Sequence, residues 1–330
     1  MHIVPENIFI SLAVLAVSFF ALTKSADFLV DGAVAIAEKL RVPKIIIGIV
    51  LVGLGTTAPE FAVSMISAVR GIPDIAFGNA VGSVIADDGL ALALGIIVAP
   101  KALSVNSRVL KSAGIFLIAV DVLTFILALN GVFSHLEGLA LIAVLIAYFT
   151  FVIITEKKNR NAGKDEELEK ELQEHNKKGK LSSQLIRFAI GVAGIIVASE
   201  LLVESAVNIA RIIKISEVII GLSMVAIGTS LPEIATCIVA ARKGHGDLAF
   251  GDIIGADILN MLWIIGGASA VSSIRVEKSV IFFAFPAMII VVLTMLLFAR
   301  MGYKLQRWKG IILLSEYAVY LTLTFILFGA

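Results

Sequence analysis

The chain has 330 residues, of which 59% are hydrophobic and only 16% charged, and its 27 Lys and Arg against 26 Asp and Glu leave a net charge of +1. A water-soluble chain carries about a quarter charged residues, so this composition, with a mean hydropathy of +1.00, is that of an integral membrane protein. Near-neutral charge without a basic–aromatic pattern gives no footing for nucleic acid, and the single Cys237 excludes a disulfide framework or a cysteine metal cluster.

Apolar runs of about 20 residues, the length that crosses the hydrocarbon core, recur along nearly the whole chain. Ten spans are predicted, at approximately 7–37, 43–69, 74–99, 107–129, 133–155, 184–213, 216–241, 247–273, 279–300 and 309–329. Met1 to Asn7 has no basic n-region and no small-residue cleavage site nearby, so the first span reads as a retained helix. It carries Lys24, Asp27 and Asp31, for which a structural ion pair is expected. The second span contains Gly55-Thr56-Thr57-Ala58-Pro59-Glu60; the third carries Asn79, Ser83 and Asp87, spaced by four and hence on one helical face. Asp121 in the fourth span and Glu316 in the tenth have no acidic counterpart, and a local hydrogen bond is expected for each. Residues 156–183 are rich in mixed charge and lack apolar runs, as a solvated linker does. The sixth span carries Glu200 and Glu204, the seventh Gly228-Thr229-Ser230-Leu231-Pro232-Glu233, and the eighth the face Asp252, Ala256 and Asn260. All four histidines fall in termini or loops, which leaves no histidine metal site.

An ionisable side chain at the centre of a membrane helix costs roughly 2.5–3.5 kcal/mol and is rarely kept without a role. Here the cost is met twice. Shifting the sequence by 173 residues aligns 26–88 with 199–261 without a gap and with about a third of the positions identical. The pairs include Gly48/Gly221, Gly71/Gly244, Asp74/Asp247, Gly78/Gly251 and Gly82/Gly255, a register that scattered Leu and Val matches cannot produce. Two units follow, 1–155 and 184–330, with the duplicated parts at about 43–99 and 216–273. Five spans per unit is an odd number, so the second copy must enter the membrane from the opposite side. The predicted fold is therefore all-α: ten transmembrane helices as two inverted five-helix repeats, the plan of secondary transporters whose sites lie where interrupted helices meet.

Proline in a helix removes a donor and clashes with the carbonyl four residues earlier, which belongs to Gly55 for Pro59 and to Gly228 for Pro232. Irregular backbone at this depth is tolerated where it lines a cavity. Glu60 and Glu233, with Thr56, Thr57, Thr229 and Ser230, offer an all-oxygen shell suited to Ca²⁺ or Na⁺ and not to a soft metal. Asp87 adds a third carboxylate, more charge than a divalent ion neutralises, so one acid would keep a proton while Ca²⁺ is bound. Several Na⁺ or protons would balance the same cavity. Without a glycine-rich phosphate loop a nucleotide-driven pump is excluded, and no catalytic constellation marks an enzyme. A passive channel is disfavoured because a deep acidic cage binds too tightly for fast conduction.

These motifs resemble the two α-repeats of the Ca²⁺/cation antiporter superfamily, specifically the prokaryotic type of its sodium/calcium exchanger branch. The resemblance rests on G-T-[ST]-x-P-E twice, each followed by G-[ND]-x-x-G-[SA]-x-I-x-[DN], and covers about 26–100 and 199–273. The G-N-x-x-E pattern of the proton-coupled branch is absent. The resemblance implies exchange of Ca²⁺ for Na⁺ by alternating access, with spans 1 and 6 sliding across a core; the alternative is the same scaffold coupled to H⁺. It implies Ca²⁺ on Glu60, Glu233, Thr56 and Thr229, and Na⁺ on Thr57, Ser230, Ser83 and the carbonyls of Gly53 and Ala226, with Asp87 and Asn260 completing the walls. No cofactor beyond the transported ions and no obligatory protein partner is implied. Three departures stand out: the branch pattern has Asn then Asp where this chain has Asp87 then Asn260, Ala256 replaces a serine, and Asp257 stands beside the site.

Lysine and arginine counts set the expected orientation. Lys39, Arg41 and Lys44, then Lys101, Arg108 and Lys111, the 156–183 loop, Arg242 and Lys243, and the cluster Arg300 to Lys309 fall on one face. By the positive-inside rule that face, including 156–183, is cytoplasmic in a multi-pass protein of the cell membrane, and both termini are extracellular.

Overall fold

The structure is a computed structural model that describes residues 4–5, 7–40, 42–70, 74–161, 180–212, 226–276, 278 and 280–328. Its helices are α1 (Ile8–Leu40), α2 (Lys44–Thr56), α3 (Ala58–Val69), α4 (Ile75–Val98), α5 (Ser107–Ala128), α6 (His135–Asn161), α7 (Leu181–Ile212), α8 (Ala226–Thr229), α9 (Leu231–Arg242), α10 (Gly246–Val271), α11 (Val280–Arg300) and α12 (Arg307–Phe328). Eight of them are long and apolar enough to cross a membrane, and the α2–α3 pair, bent by 46°, makes a ninth among the described residues. The expected seventh span is described only from Ala226 onward; 216–225 and most of the expected linker, 162–179, lie outside the described residues. The fifth span runs six residues beyond its expected end, to Asn161, and the sixth starts at Leu181 rather than 184.

The chain is not purely helical. Two-residue strands β1 (Leu103–Ser104) and β4 (Lys304–Leu305) pair antiparallel, as do β2 (Val132–Phe133) and β3 (Ile274–Arg275). Each ladder ties together two interhelical turns and satisfies backbone groups that the helices leave open.

Two helices form the centre. In α4 and α10, 72% and 94% of the apolar window is buried, against 17% to 39% in the other long helices. Glycine makes the close packing around α10 possible. A Cβ on Gly48 would stand 2.7 Å from the Leu248 carbonyl oxygen, and one on Gly53 3.2 Å from the Gly255 carbonyl carbon. Reciprocally, Gly251 and Gly255 face the carbonyls of Ile45 and Ile49. Helices α2 and α10 therefore run parallel with backbone against backbone, the close approach that small residues permit in membranes. Their counterparts Gly78 and Gly82 meet nothing within 4 Å among the described residues.

A second joint of the same kind links α1 to α7. Gly32 abuts the Phe188 backbone, while Gly191 and Gly194 abut Leu29 and Ser25, an antiparallel contact along several turns. This pair is fastened to the rest by an ionic network. Lys243, beyond the end of α9, reaches Asp27 at 3.0 Å and Asp31 at 2.7 Å, and Arg187 of α7 reaches Asp31 at 2.6 Å. Lys24, the partner read from sequence, contributes only a 3.8 Å contact with Asp27. At the end of α11, the Lys309 ammonium donates to the carbonyls of Phe298, Met301 and Lys304 at 2.7–2.8 Å, closing that helix. Trp308 is exposed beside it and packs edge-on against Phe298.

The glycine joint predicts a contrast. Gly251→Ala and Gly255→Ala force a methyl into a facing carbonyl and should each cost about 1–3 kcal/mol, read as a lowered melting temperature in detergent. Gly114→Ala, where the methyl would meet only the flexible end of the Leu296 side chain at 3.1 Å, should cost far less.

Candidate functional site

Both motifs interrupt a helix at the same register. Helix α2 ends at Thr56 and α3 begins at Ala58, with Thr57 between them at φ −75°, ψ −4°. In the second copy α8 ends at Thr229 and α9 begins at Leu231, with Ser230 at φ −87°, ψ 7°. Pro59 and Pro232 sit in the first turn of α3 and α9, where the missing N–H removes no helical bond. Glu60 and Glu233 fall in that same first turn, where the exposed amides favour a carboxylate. Gly55 and Gly228 have a use beyond the break: a Cβ there would collide with Val192 and Val203 of α7, so the motif glycine lets α7 pass close to the interruption.

The third acid comes from α4. A π-helical turn begins at Asp87 and runs to Leu92, and another begins at Asn260 and runs to Ile264, again 173 residues apart. Such turns are rare, widen the helix, and recur at functional sites. Phe61 stacks on Trp263 within the second of them, centroids 4.0 Å apart, tying α3 to α10.

Glu60, Asp87 and Glu233 are fully buried, and each offers an oxygen within 4.8 Å of the others. Ser83 and Ser230 donate to Glu60 Oε1 at 2.8 and 3.3 Å, Thr57 donates to Glu233 Oε1 at 3.4 Å, and Asn260 Nδ2 donates to Asp87 Oδ2 at 3.5 Å. The remaining oxygens, Glu60 Oε2, Glu233 Oε2 and Asp87 Oδ1, meet no donor. No Lys, Arg or His among the described residues pairs with these acids. Ionised at this spacing, each pair would repel by at least ~3 kcal/mol at an effective dielectric of about 20. A cation among the bare oxygens removes that repulsion, and an all-oxygen set selects a hard one.

The residues read from sequence thus converge for the most part. Thr57, Ser83, Ser230 and Asn260 donate to the three carboxylates, while the buried Thr56 beside them donates to Asp252 of α10. The Gly53 carbonyl accepts the Thr57 amide at 2.9 Å and lies 3.3 Å from the Thr56 hydroxyl. Thr229 is half-buried one step before the interruption, and Ala226 opens α8. Asn79 points elsewhere, donating to Ser64 Oγ at 3.1 Å and to the Glu60 carbonyl at 3.4 Å.

Other acids escaped the sequence reading. Asp88, fully buried, faces Asp257 of α10, and none of their four carboxyl oxygens has a hydrogen-bond partner. Its only sequence signal is a second acid directly after Asp87. Asp121, for which a local hydrogen bond was expected, instead lies within electrostatic reach of Asp88 and Asp257, its Oδ1 without a donor. Glu316 faces Thr294 of the neighbouring helix α11 rather than a local partner, and its Oε2 meets no donor. Cys237 is buried, with its sulfur packed against Gly95.

The model of the family described as sodium/calcium exchanger protein matches residues 10–154 and 183–326. Sodium/calcium exchanger MaX1 of Methanosarcina acetivorans is 29% identical, over 96% of this chain and 99% of its own length. Inner membrane protein YrbG of Escherichia coli K12 is 30% identical, over 95% and 96%. Among solved structures, the sodium-calcium exchanger NCX_Mj soaked with 2.5 mM Na⁺ and 0.1 mM Ca²⁺ superposes with a TM-score of 0.81 at 26% identity, covering 94% of this chain and 97% of that one.

Uncompensated charge at the cage has a measurable consequence. Asp87→Asn should raise the melting temperature in chelator, because it relieves repulsion, and should shrink the further rise on adding Ca²⁺. At free Ca²⁺ about 100 times its dissociation constant, the parent should gain ~2.7 kcal/mol.

Proposed function

Because the chain belongs to the sodium/calcium exchanger protein family, we propose that it is a secondary antiporter that moves Ca²⁺ against Na⁺ across the cell membrane by alternating access. The observation that carries this is the grouping of Glu60, Asp87 and Glu233 within 4.8 Å, with hydroxyls braced against them. Glu60 and Glu233, with Thr56 and Thr229, hold Ca²⁺; Thr57, Ser83, Ser230 and the carbonyls of Gly53 and Ala226 serve Na⁺; Asp87 and Asn260 close the walls. Ions of either kind balance the same carboxylates, so occupancy by one excludes the other, and exchange follows from charge neutrality.

Ten spans in two inverted units, 1–155 and 184–330, joined by a cytoplasmic 156–183 segment, are the architecture we assign. Supporting the inversion, α1 and α7 are repeat counterparts yet run antiparallel along their glycine contact. Both termini are then extracellular. Span pairs 2–7 and 3–8 hold the cage, while α1 and α7 slide across it to alternate its exposure.

A second reading, Ca²⁺ against H⁺, is favoured by one position: Ala256 offers no hydroxyl where the first repeat has Ser83. Liposome flux separates the two. Protein reconstituted into Na⁺-loaded vesicles should accumulate ⁴⁵Ca²⁺, and Glu60→Gln or Glu233→Gln should abolish uptake. Equal uptake driven by a pH gradient without Na⁺ would sink the Na⁺ assignment. Within the same assay, Asp87→Asn should reduce uptake more than Asn260→Ala; the opposite order would show the third acid to be misplaced.

A further inference from the structure

One carboxylate beside the cage belongs neither to the paired motif nor to the three-acid group. Asp252 of α10 is fully buried, its Oδ1 accepts a hydrogen bond from Thr56 Oγ1 at 3.1 Å, and its Oδ2 has no donor. It lies within electrostatic reach of both Glu60 and Glu233. Its place is fixed by backbone. Gly251 lies against Ile45, and a Cβ on Gly48 would stand 2.8 Å from the Asp252 amide, so α2 and α10 hold the acid against Thr56 without slack. At the matching position of the first repeat stands Asn79, a neutral amide that donates to Ser64 and the Glu60 carbonyl. One register thus carries a donor in one half and an acid in the other.

We propose that Asp252 is a specificity-determining residue of the cage, which favours a divalent over a monovalent cation by its own charge and by orienting Thr56. The inference rests on the cation-cage reading above. Thr56 has one hydroxyl proton and three acceptors in range: Asp252 at 3.1 Å and the carbonyls of Val52 and Gly53 at 3.2 and 3.3 Å. A carboxylate is a stronger acceptor than a carbonyl. Giving the proton to Asp252, outside the cage, turns the Thr56 lone pairs toward the ion. The charge acts in the same direction, since a fixed negative charge attracts a doubly charged ion twice as strongly as a singly charged one at the same point. Asp252 touches Thr56, not the ion, so its action is that of positioning and field.

The test uses the full-length protein in detergent, with Ca²⁺ and Na⁺ titrated separately and thermal stabilisation as the readout. Asp252→Asn keeps the shape and the acceptor oxygen but removes the charge. The expected result is a dissociation constant about tenfold weaker for Ca²⁺ and about threefold weaker for each Na⁺, the two-to-one ratio in logarithm that charge dictates. Equal weakening for both ions would mark a merely structural role and overturn the inference, as would constants unchanged from the parent. Should Asp252→Asn not fold, Asp252→Ser reads the same ratio with a smaller neutral group. Glu60→Gln, measured alongside, separates the two levels. Loss of the Ca²⁺ response there with a silent Asp252 variant defeats this inference alone; a parent that shows no Ca²⁺ response defeats the cage reading as well.

Discussion

Carboxylates buried away from water need either donors or a counter-charge, and this interior supplies donors to only part of each one. Ser83 and Ser230 brace one oxygen of Glu60, Thr57 one of Glu233, and Asn260 one of Asp87, while the opposite oxygen of each is bare. Bracing one side fixes the geometry; leaving the other open reserves it. Much of the surrounding fold serves that division. The interruptions at Thr57 and Ser230 place the glutamates at helix starts, the π turns carry Asp87 and Asn260, and the joint between α2 and α10 stops the walls from collapsing inward.

Much of this was legible in the residues themselves. Acid, hydroxyl, glycine and proline at fixed spacing, duplicated 173 residues away, leave few alternatives in an apolar helix, and the three acids do meet. What stayed hidden depends on features that periodicity cannot encode. Asp88 follows Asp87 directly on another face of α4, and only the packing of α4 against α10 shows that this face meets Asp257 of a different helix. Asp121 meets its acidic neighbours through tertiary packing alone. Lys243 reaches back more than two hundred residues to Asp27 and Asp31, a pairing that no local pattern announces. The motif glycines were read as relief for the proline, whereas their empty side also faces α7. Four short strands in the turns carry too few residues to leave a pattern.

Duplication fixes backbone more strictly than chemistry. The interruptions and the π turns at Asp87 and Asn260 recur at matched positions, but not every side chain around the cage does: Asp87 stands against Asn260, Ser83 against Ala256 and Asn79 against Asp252. A helix interruption can be shared because it solves the same geometric problem in each half. Charge need not be shared, because one cavity sums the contributions of both halves and is indifferent to which half supplies them.

The two glycine joints also divide the molecule mechanically. A helix advances about 1.5 Å per residue, so a slip of one step along α2 would drive the side chain of Ala256 into the carbonyls that Gly255 now clears. The same holds for α1 against α7 at Gly191 and Gly194. Each joint behaves as a keyed shaft, rigid along its length. Apart from the Lys243 ion pairs with Asp27 and Asp31, the two bodies meet beside the interruptions through side chains, with Gly55 and Gly228 facing the branched methyls of Val192 and Val203 rather than backbone. Shear is therefore cheapest along that seam, and the seam passes directly beside both interruptions.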